Sequence, residues 1–247
     1  MARSKLLIVE GSIILQGLFS DLLSENENFD FDLVGSYEDA KKLLSKKRYE
    51  FAVTDRVLKD APNGEIIALF NKFNIAPLVF TKDIDEDFFE SFEGAQIVDY
   101  MVQQRFTNVA DVVKKLEQLK QNKSITVLVV SSSKIYTSYL KQNLNIHSFK
   151  VFTAFNDEDV YEKLELHPEI SLMVIDSSSQ DIDSLEILKH IRKTEISDHI
   201  KILTIADDTN LYSTSIMLNH GADDYIVKQF SRDEFYIRVY QNIKKVC

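Results

Sequence analysis

Short apolar runs alternate along the whole chain with longer stretches whose apolar residues recur every three or four positions. KLLIV (5–9) is short and continuous, the pattern of a strand buried on both faces. SIILQGLFSDLLSEN (12–26) has helical spacing behind Ser12, a residue suited to N-capping. FDLVGS (31–36), FAVTD (51–55), PLVFT (77–81) and IVDYMV (97–102) read as further strands. The helices between and after them are expected at YEDAKKLLSKKR (37–48), EIIALFNKF (65–73), within DIDEDFFESFEG (83–94) and at TNVADVVKKLEQLK (107–120).

The same order then repeats. TVLVV (126–130), FKVFTAF (149–155), SLMVID (171–176), KILTIA (201–206) and DYIVK (224–228) are strand-like. SKIYTSYLKQNL (133–144), DEDVYEKLEL (157–166), SLEILKHIRKT (184–194), TNLYSTSIMLNHG (209–221) and SRDEFYIRVYQNIKK (231–245) are helix-like. Asp55 and Asp176, each ending a third strand, lie 121 positions apart, as do Leu6 and Val127 in the opening strands. Near the ends, DYMVQQ (99–104) matches DYIVKQ (224–229) at an interval of 125, so the second copy has gained a few residues. Five strand–helix units per copy predict two tandem doubly wound (βα)5 domains of flavodoxin-like α/β fold, with five-stranded parallel sheets over 1–122 and 123–247. Ligand chemistry is expected at the carboxyl ends of the strands.

Composition narrows the classes of function. A net charge of −10 and the lack of a basic patch with interleaved aromatics argue against nucleic-acid binding. No apolar run approaches the length of a membrane span, and MARSKLLIVEGS has no signal-peptide pattern. The single cysteine, Cys247, excludes a disulfide within the chain and fits a reducing cytoplasm. The five histidines lack metal-ligand spacing and read as surface or helix-end residues. Neither Ser131–Ser133 nor Ser177–Ser179 sits in a nucleophile turn, and the six glycines form no phosphate-cradling loop.

The strand ends carry a more specific signal. GADDYIVKQF (221–230), LLIVEGS (6–12), FAVTD, SLMVID and PLVFT together resemble the receiver domain of bacterial two-component response regulators, twice over and across essentially the whole chain. That resemblance implies an acidic pair after the first strand and a phosphoacceptor aspartate at the end of the third. It also implies a hydroxyl at the end of the fourth and a lysine at the end of the fifth, usually followed by proline. Phosphoryl transfer to a carboxylate needs cationic partners and donors around the transferred oxygens, and Mg²⁺ needs oxygen ligands.

Carried onto this chain, the resemblance makes Asp55 the phosphoacceptor of the first domain and Thr81 its phosphate-binding hydroxyl. Glu10 and Asp55 would form a weak Mg²⁺ site, because Gly11 replaces the second acid, and Gln103 stands at the lysine position. Read without the resemblance, Asp55 merely caps the turn before APNGE (61–65). In the second domain Asp176 takes the acceptor position and Lys228 the lysine position. The acidic pair has become Ser131 and Ser132, and Ala206 falls at the hydroxyl position. Strand alternation is expected to point the neighbouring Thr204 elsewhere. No Mg²⁺ is expected there, and a standing Asp176–Lys228 ion pair marks a pseudo-receiver. Tyr100 and Tyr225 match the family's switch aromatics, and Phe88, Phe89 and Phe92 fall on its dimerisation face. With Gln229 in place of proline, a trans Lys228–Gln229 peptide and a reshaped loop are expected.

The implied function is a non-enzymatic response-regulator module of a phosphorelay. Its partners would be a histidine kinase or phosphotransfer protein and a second copy of the chain, in the cytoplasm, with no nucleic acid or membrane. A missing C-terminal effector such as a diguanylate cyclase would provide the output, making the 247 residues an excerpt. The alternative is a phosphorylation-independent scaffold built from two degenerate receivers.

Overall fold

The computed structural model describes residues 2–82, 94–103, 108–179, 181–193, 199–207 and 211–243, with only the backbone of 211–214. The chain divides into two compact units, Met1–Lys120 and Gln121–Cys247. Each is built on one five-stranded, all-parallel sheet.

In the first unit the sheet order is β2-β1-β3-β4-β5, formed by Ser4–Val9, Phe29–Val34, Phe51–Thr54, Leu78–Thr81 and Asp99–Val102. Among the described residues the helices are α1 (Ile13–Ser24), α2 (Tyr37–Leu44), α3 (Glu65–Lys72) and α4 (Val109–Asn122). The expected helix within 83–94, with Phe88, Phe89 and Phe92, lies almost wholly outside the described residues. Alternate β1 residues supply two cores. Leu7 and Val9 join Ala40 and Leu44 of α2 and Ile66 and Phe70 of α3. On the other side Phe19 of α1 meets Phe80 of β4 edge-on at 6.2 Å. Each such fully buried side chain contributes about 1.5–3 kcal/mol.

The second sheet has order β7-β6-β8-β9-β10 and uses Lys150–Ala154, Thr126–Val130, Ile170–Asp176, Lys201–Ala206 and Asp224–Val227. One core packs α5 (Lys134–Ile146) and α9 (Arg232–Ile243) on Val127, Val129, Leu203 and Ile205. The other packs α6 (Asp157–Leu166), α7 (Ser184–Lys193) and α8 (Leu211–Asn219) on Leu128, Val130, Met173 and Ile202. The apolar runs are continuous because both faces of each sheet are covered.

Side-chain caps set several boundaries. Ser12, Ser36, Ser133 and Asn156 accept from the amides of Leu15, Asp39, Tyr136 and Asp159, each cap being worth about 1 kcal/mol. Ser36 therefore belongs to the start of α2, and β2 runs earlier than expected, from Phe29 paired with Ser4. The end of α8 closes with amides of Gly221 and Ala222 donating to the Leu218 and Met217 carbonyls. Gly221 takes a φ of +108°, where an added Cβ would come within 2.7 Å of the Arg192 side chain. The two acids that follow anchor β10: Asp223 accepts from Arg192 at 2.7 Å and Lys201 at 2.9 Å, and Asp224 from Arg238 at 3.1 Å.

One histidine departs from the surface reading. His147 is 1% exposed, stacks on Tyr236 and shares a 2.9 Å hydrogen bond with the Tyr240 hydroxyl. It still ends α5, but the aromatic face of α9 covers it.

Candidate functional site

Equivalent registers align the two sets of strand ends residue by residue. Val9 lies beside Thr54 and Val130 beside Ile175, so Glu10 and Ser131 each follow next to their acceptor aspartates. Thr81 pairs with Val102, and Ala206 with Val227. Gln103 and Lys228 are thus the next residues on matching strands, and each donates its amide to the carbonyl of Thr81 or Ala206 at 2.8 Å.

In the first unit Glu10 is buried, and its Oε1 accepts from the Ser12 amide at 2.8 Å. Asp55 accepts from the Val57 amide at 3.3 Å and from the Thr81 hydroxyl. Burial pushes both carboxyls above the ordinary carboxylate range. The Ser12 amide offsets this at Glu10 and the Asp55 charge adds to it; the Val57 amide and Thr81 hydroxyl offset it at Asp55. A cation absent from the sequence-derived site acts on both: Lys82, directly after Thr81, favours the charged forms of Glu10 and Asp55. Among the described residues, the buried Gln103 Nε2 has no hydrogen-bond partner.

In the second unit the acceptor position is tied up on every side. Asp176 is 4% exposed. Its Oδ2 accepts from the Ser131 hydroxyl at 3.0 Å, and its Oδ1 accepts from the Ser178 hydroxyl at 2.6 Å and the Ser178 amide at 3.2 Å. Lys228 Nζ lies 3.2 Å from Asp176 Oδ1, 3.2 Å from Asp207 Oδ1, in contact with Ser178 Oγ, and 5.5 Å from the centre of the Tyr136 ring. Ser132 turns away from Asp176 and bonds the Ser179 hydroxyl at 2.7 Å. Thr204 shares the face of Ala206, two residues earlier, so alternation does not separate them. Its hydroxyl is spent on the Asp224 carbonyl at 3.3 Å.

Tyr100 and Tyr225 are both half-buried on the fifth strands, and Tyr100 packs against the core beneath α2 and α3. The Lys228–Gln229 peptide is trans, and Gln229 takes a left-handed φ of +71°. Sequence reasoning missed Lys82, Ser178 and Asp207. Lys82 and Asp207 each directly follow the hydroxyl position, so the 125-residue interval would have paired them.

Among the described residues no three His, Cys, Asp or Glu side chains converge on a metal position. The oxygen donors Glu10 and Asp55 fit a weakly held Mg²⁺, which would offset their mutual repulsion. In the second unit the residues do not fit: serines stand at 131 and 132, and Lys228 already holds both Asp176 and Asp207 at 3.2 Å.

Residues 127–240 match the response regulator receiver domain family. That match covers most of the second unit and none of the first. For the first unit the likeness is one of fold alone. Two solved structures, both described as two-component system response regulator/GGDEF domain proteins, superpose over 99% of this chain and 99% of theirs. They do so with TM-scores of 0.84 and 0.83 at 24% identity. Among curated relatives, response regulator ArlR of Staphylococcus aureus is 32% identical over 113 residues, covering 46% of this chain and 50% of that protein. The chain thus spans about half the length of the curated relatives it matches. Receivers are regulatory signalling modules of two-component systems, and histidine kinases are their general partners. No helix among the described residues is long and apolar enough to cross a membrane.

Proposed function

We propose that this chain is the signal-receiving part of a cytoplasmic phosphorelay regulator in which Asp55 is the phosphoacceptor and the second receiver is an unphosphorylated adaptor for dimerisation or docking. One observation carries the reading: the two acceptor positions are in opposite states. Asp176 is neutralised by Lys228 and held by two serine hydroxyls. Asp55 has a second carboxylate, Glu10, and the Thr81 hydroxyl beside it.

In the transfer, an Asp55 carboxylate oxygen attacks phosphorus and forms the new P–O bond. The P–N bond of the donor phosphohistidine breaks, and the imidazole keeps the electron pair. The Thr81 hydroxyl, which now donates to Asp55, is placed to donate to the phosphoryl oxygens. Mg²⁺ bound by Glu10 and Asp55 would supply charge neutralisation during transfer. Ile13 and Ile14, exposed at the start of α1 close behind Glu10, with Leu18 and Leu22 one and two turns on, offer an apolar face for the partner that delivers the phosphoryl group. An effector beyond this chain, such as a diguanylate cyclase, would be the output; two structures of similar fold are described as GGDEF domain proteins.

A phosphorylation-independent scaffold is the second reading, favoured by the self-satisfied network around Asp176. Incubation with a small phosphodonor and Mg²⁺, followed by intact-mass measurement, separates them. A gain of one phosphate that disappears in Asp55→Asn supports the phosphoacceptor. No gain supports the scaffold, and a gain that survives Asp55→Asn but not Asp176→Asn reverses the assignment of the two domains.

A further inference from the structure

The two pockets carry their charges in opposite order. In the second unit the fifth strand delivers the cation, Lys228, and the residue after the fourth strand is an acid, Asp207. These two meet at 3.2 Å while Lys228 also holds Asp176 at 3.2 Å. A side chain just past the fourth strand therefore reaches the group that neutralises the acceptor. In the first unit the same position is Lys82, and the fifth strand ends in the uncharged Gln103. Lys82 is exposed directly after Thr81, while Gln103 has a buried amide donor with no partner among the described residues.

We propose that Lys82 is the cation of the first pocket, moved from the end of the fifth strand to the end of the fourth, and that it holds the phosphoryl oxygens on Asp55 together with the Gln103 amide. This rests on Asp55 being the phosphoacceptor. The groups facing the position are Glu10 from the end of β1, Asp55 from the end of β3 and the Thr81 hydroxyl from β4. Their combined charge is −2 when both acids are ionised, and Lys82 is the charge that attracts both. A lysine on a flexible stem neutralises a phosphoryl group as a point charge, so its place of origin matters less than its reach. The neutral amide contributes direction without charge.

The test uses the full chain and a small phosphodonor with Mg²⁺. Lys82→Gln slows mass gain by at least about tenfold, the scale of losing one charge-stabilising donor. Adding Gln103→Lys to that variant returns most of the rate by putting the cation on the fifth strand. Equal labelling of Lys82→Gln and the parent overturns the proposal, as does a slowed variant that the second lysine does not restore.

Thermal melts at one fixed alkaline pH keep the outcome decidable if the parent gains no phosphate. In that event the phosphoacceptor reading fails, and the melts judge Lys82 separately. Lys82→Gln lowers the melting temperature in the parent by roughly 2–4 °C but not in Glu10→Gln/Asp55→Asn. The same shift in both backgrounds overturns Lys82 as the pocket cation.

Discussion

Replacing Lys228 by methionine tests the best-defined charge cluster in the chain. Methionine keeps much of the apolar stem and removes the ammonium group. Asp176 then stays buried with the Ser131 hydroxyl at 3.0 Å and the Ser178 hydroxyl and amide at 2.6 and 3.2 Å. Breaking a wholly buried pair costs about 3–5 kcal/mol. Here the Lys228 side chain is 31% exposed and divides its charge with Asp207, itself 50% exposed, so water screens part of the interaction. The three remaining donors also continue to stabilise the carboxylate. A loss of roughly 1–2 kcal/mol is expected, or about 4–8 °C in the melting of the second unit.

With two domains in the chain, one global melt is not sufficient. Amide hydrogen exchange along β8 and β10 assigns the loss to the right unit. Asp176→Asn, which leaves Lys228 to Asp207, should cost less, and the double variant should recover about 1 kcal/mol relative to the summed single losses. If Lys228→Met melts with the parent, or if the two losses simply add, the ion pair contributes no stability and the pseudo-receiver argument loses its physical basis.

Three further outcomes follow from particular contacts. Burial raises the folded-state pKa of Asp55, so the folded protein binds more protons than the unfolded chain above the ordinary carboxylate pKa, and stability falls as pH rises through that window. Asp55→Asn should therefore raise the melting temperature at pH about 8 and lose that advantage towards pH about 4; an advantage that grows on acidification would refute the assignment. Gln229→Gly should be neutral or stabilising by up to about 1 kcal/mol, because a left-handed φ costs a side chain about 1–2 kcal/mol and glycine nothing. Gln229→Pro, which restores the residue usual at this place, should cost more than about 2 kcal/mol in urea unfolding, because proline cannot reach a φ of +71°. Ser131→Ala should cost about 1–2 kcal/mol by removing a buried donor to the Asp176 carboxylate, measured by the same unfolding.

The alternation of short apolar runs with helical spacing was enough to read both parallel sheets and the duplication. A strand covered on both faces has to be apolar throughout, and each covering helix has to carry a stripe. Asp55, Thr81, Asp176 and Lys228 were singled out by the resemblance to receivers, not by the strand pattern, and the structure sets all four at or just past strand ends. What the strand pattern left open was how side chains beyond those positions share charge. Lys82 and Asp207 lie one residue past the fourth strands, and Ser178 two residues past Asp176, in segments with no periodicity to read. Their partners come from strands distant in sequence: Lys228 meets Ser178 and Asp207 only because parallel register brings the ends of β8, β9 and β10 together. Likewise His147, a polar residue at a helix end, is buried only because α9 lays Tyr236 and Tyr240 over it. Local periodicity determined which segments are strands and helices. Long-range packing decided which charges meet, because electrostatic contact depends on distances that only the assembled sheet sets.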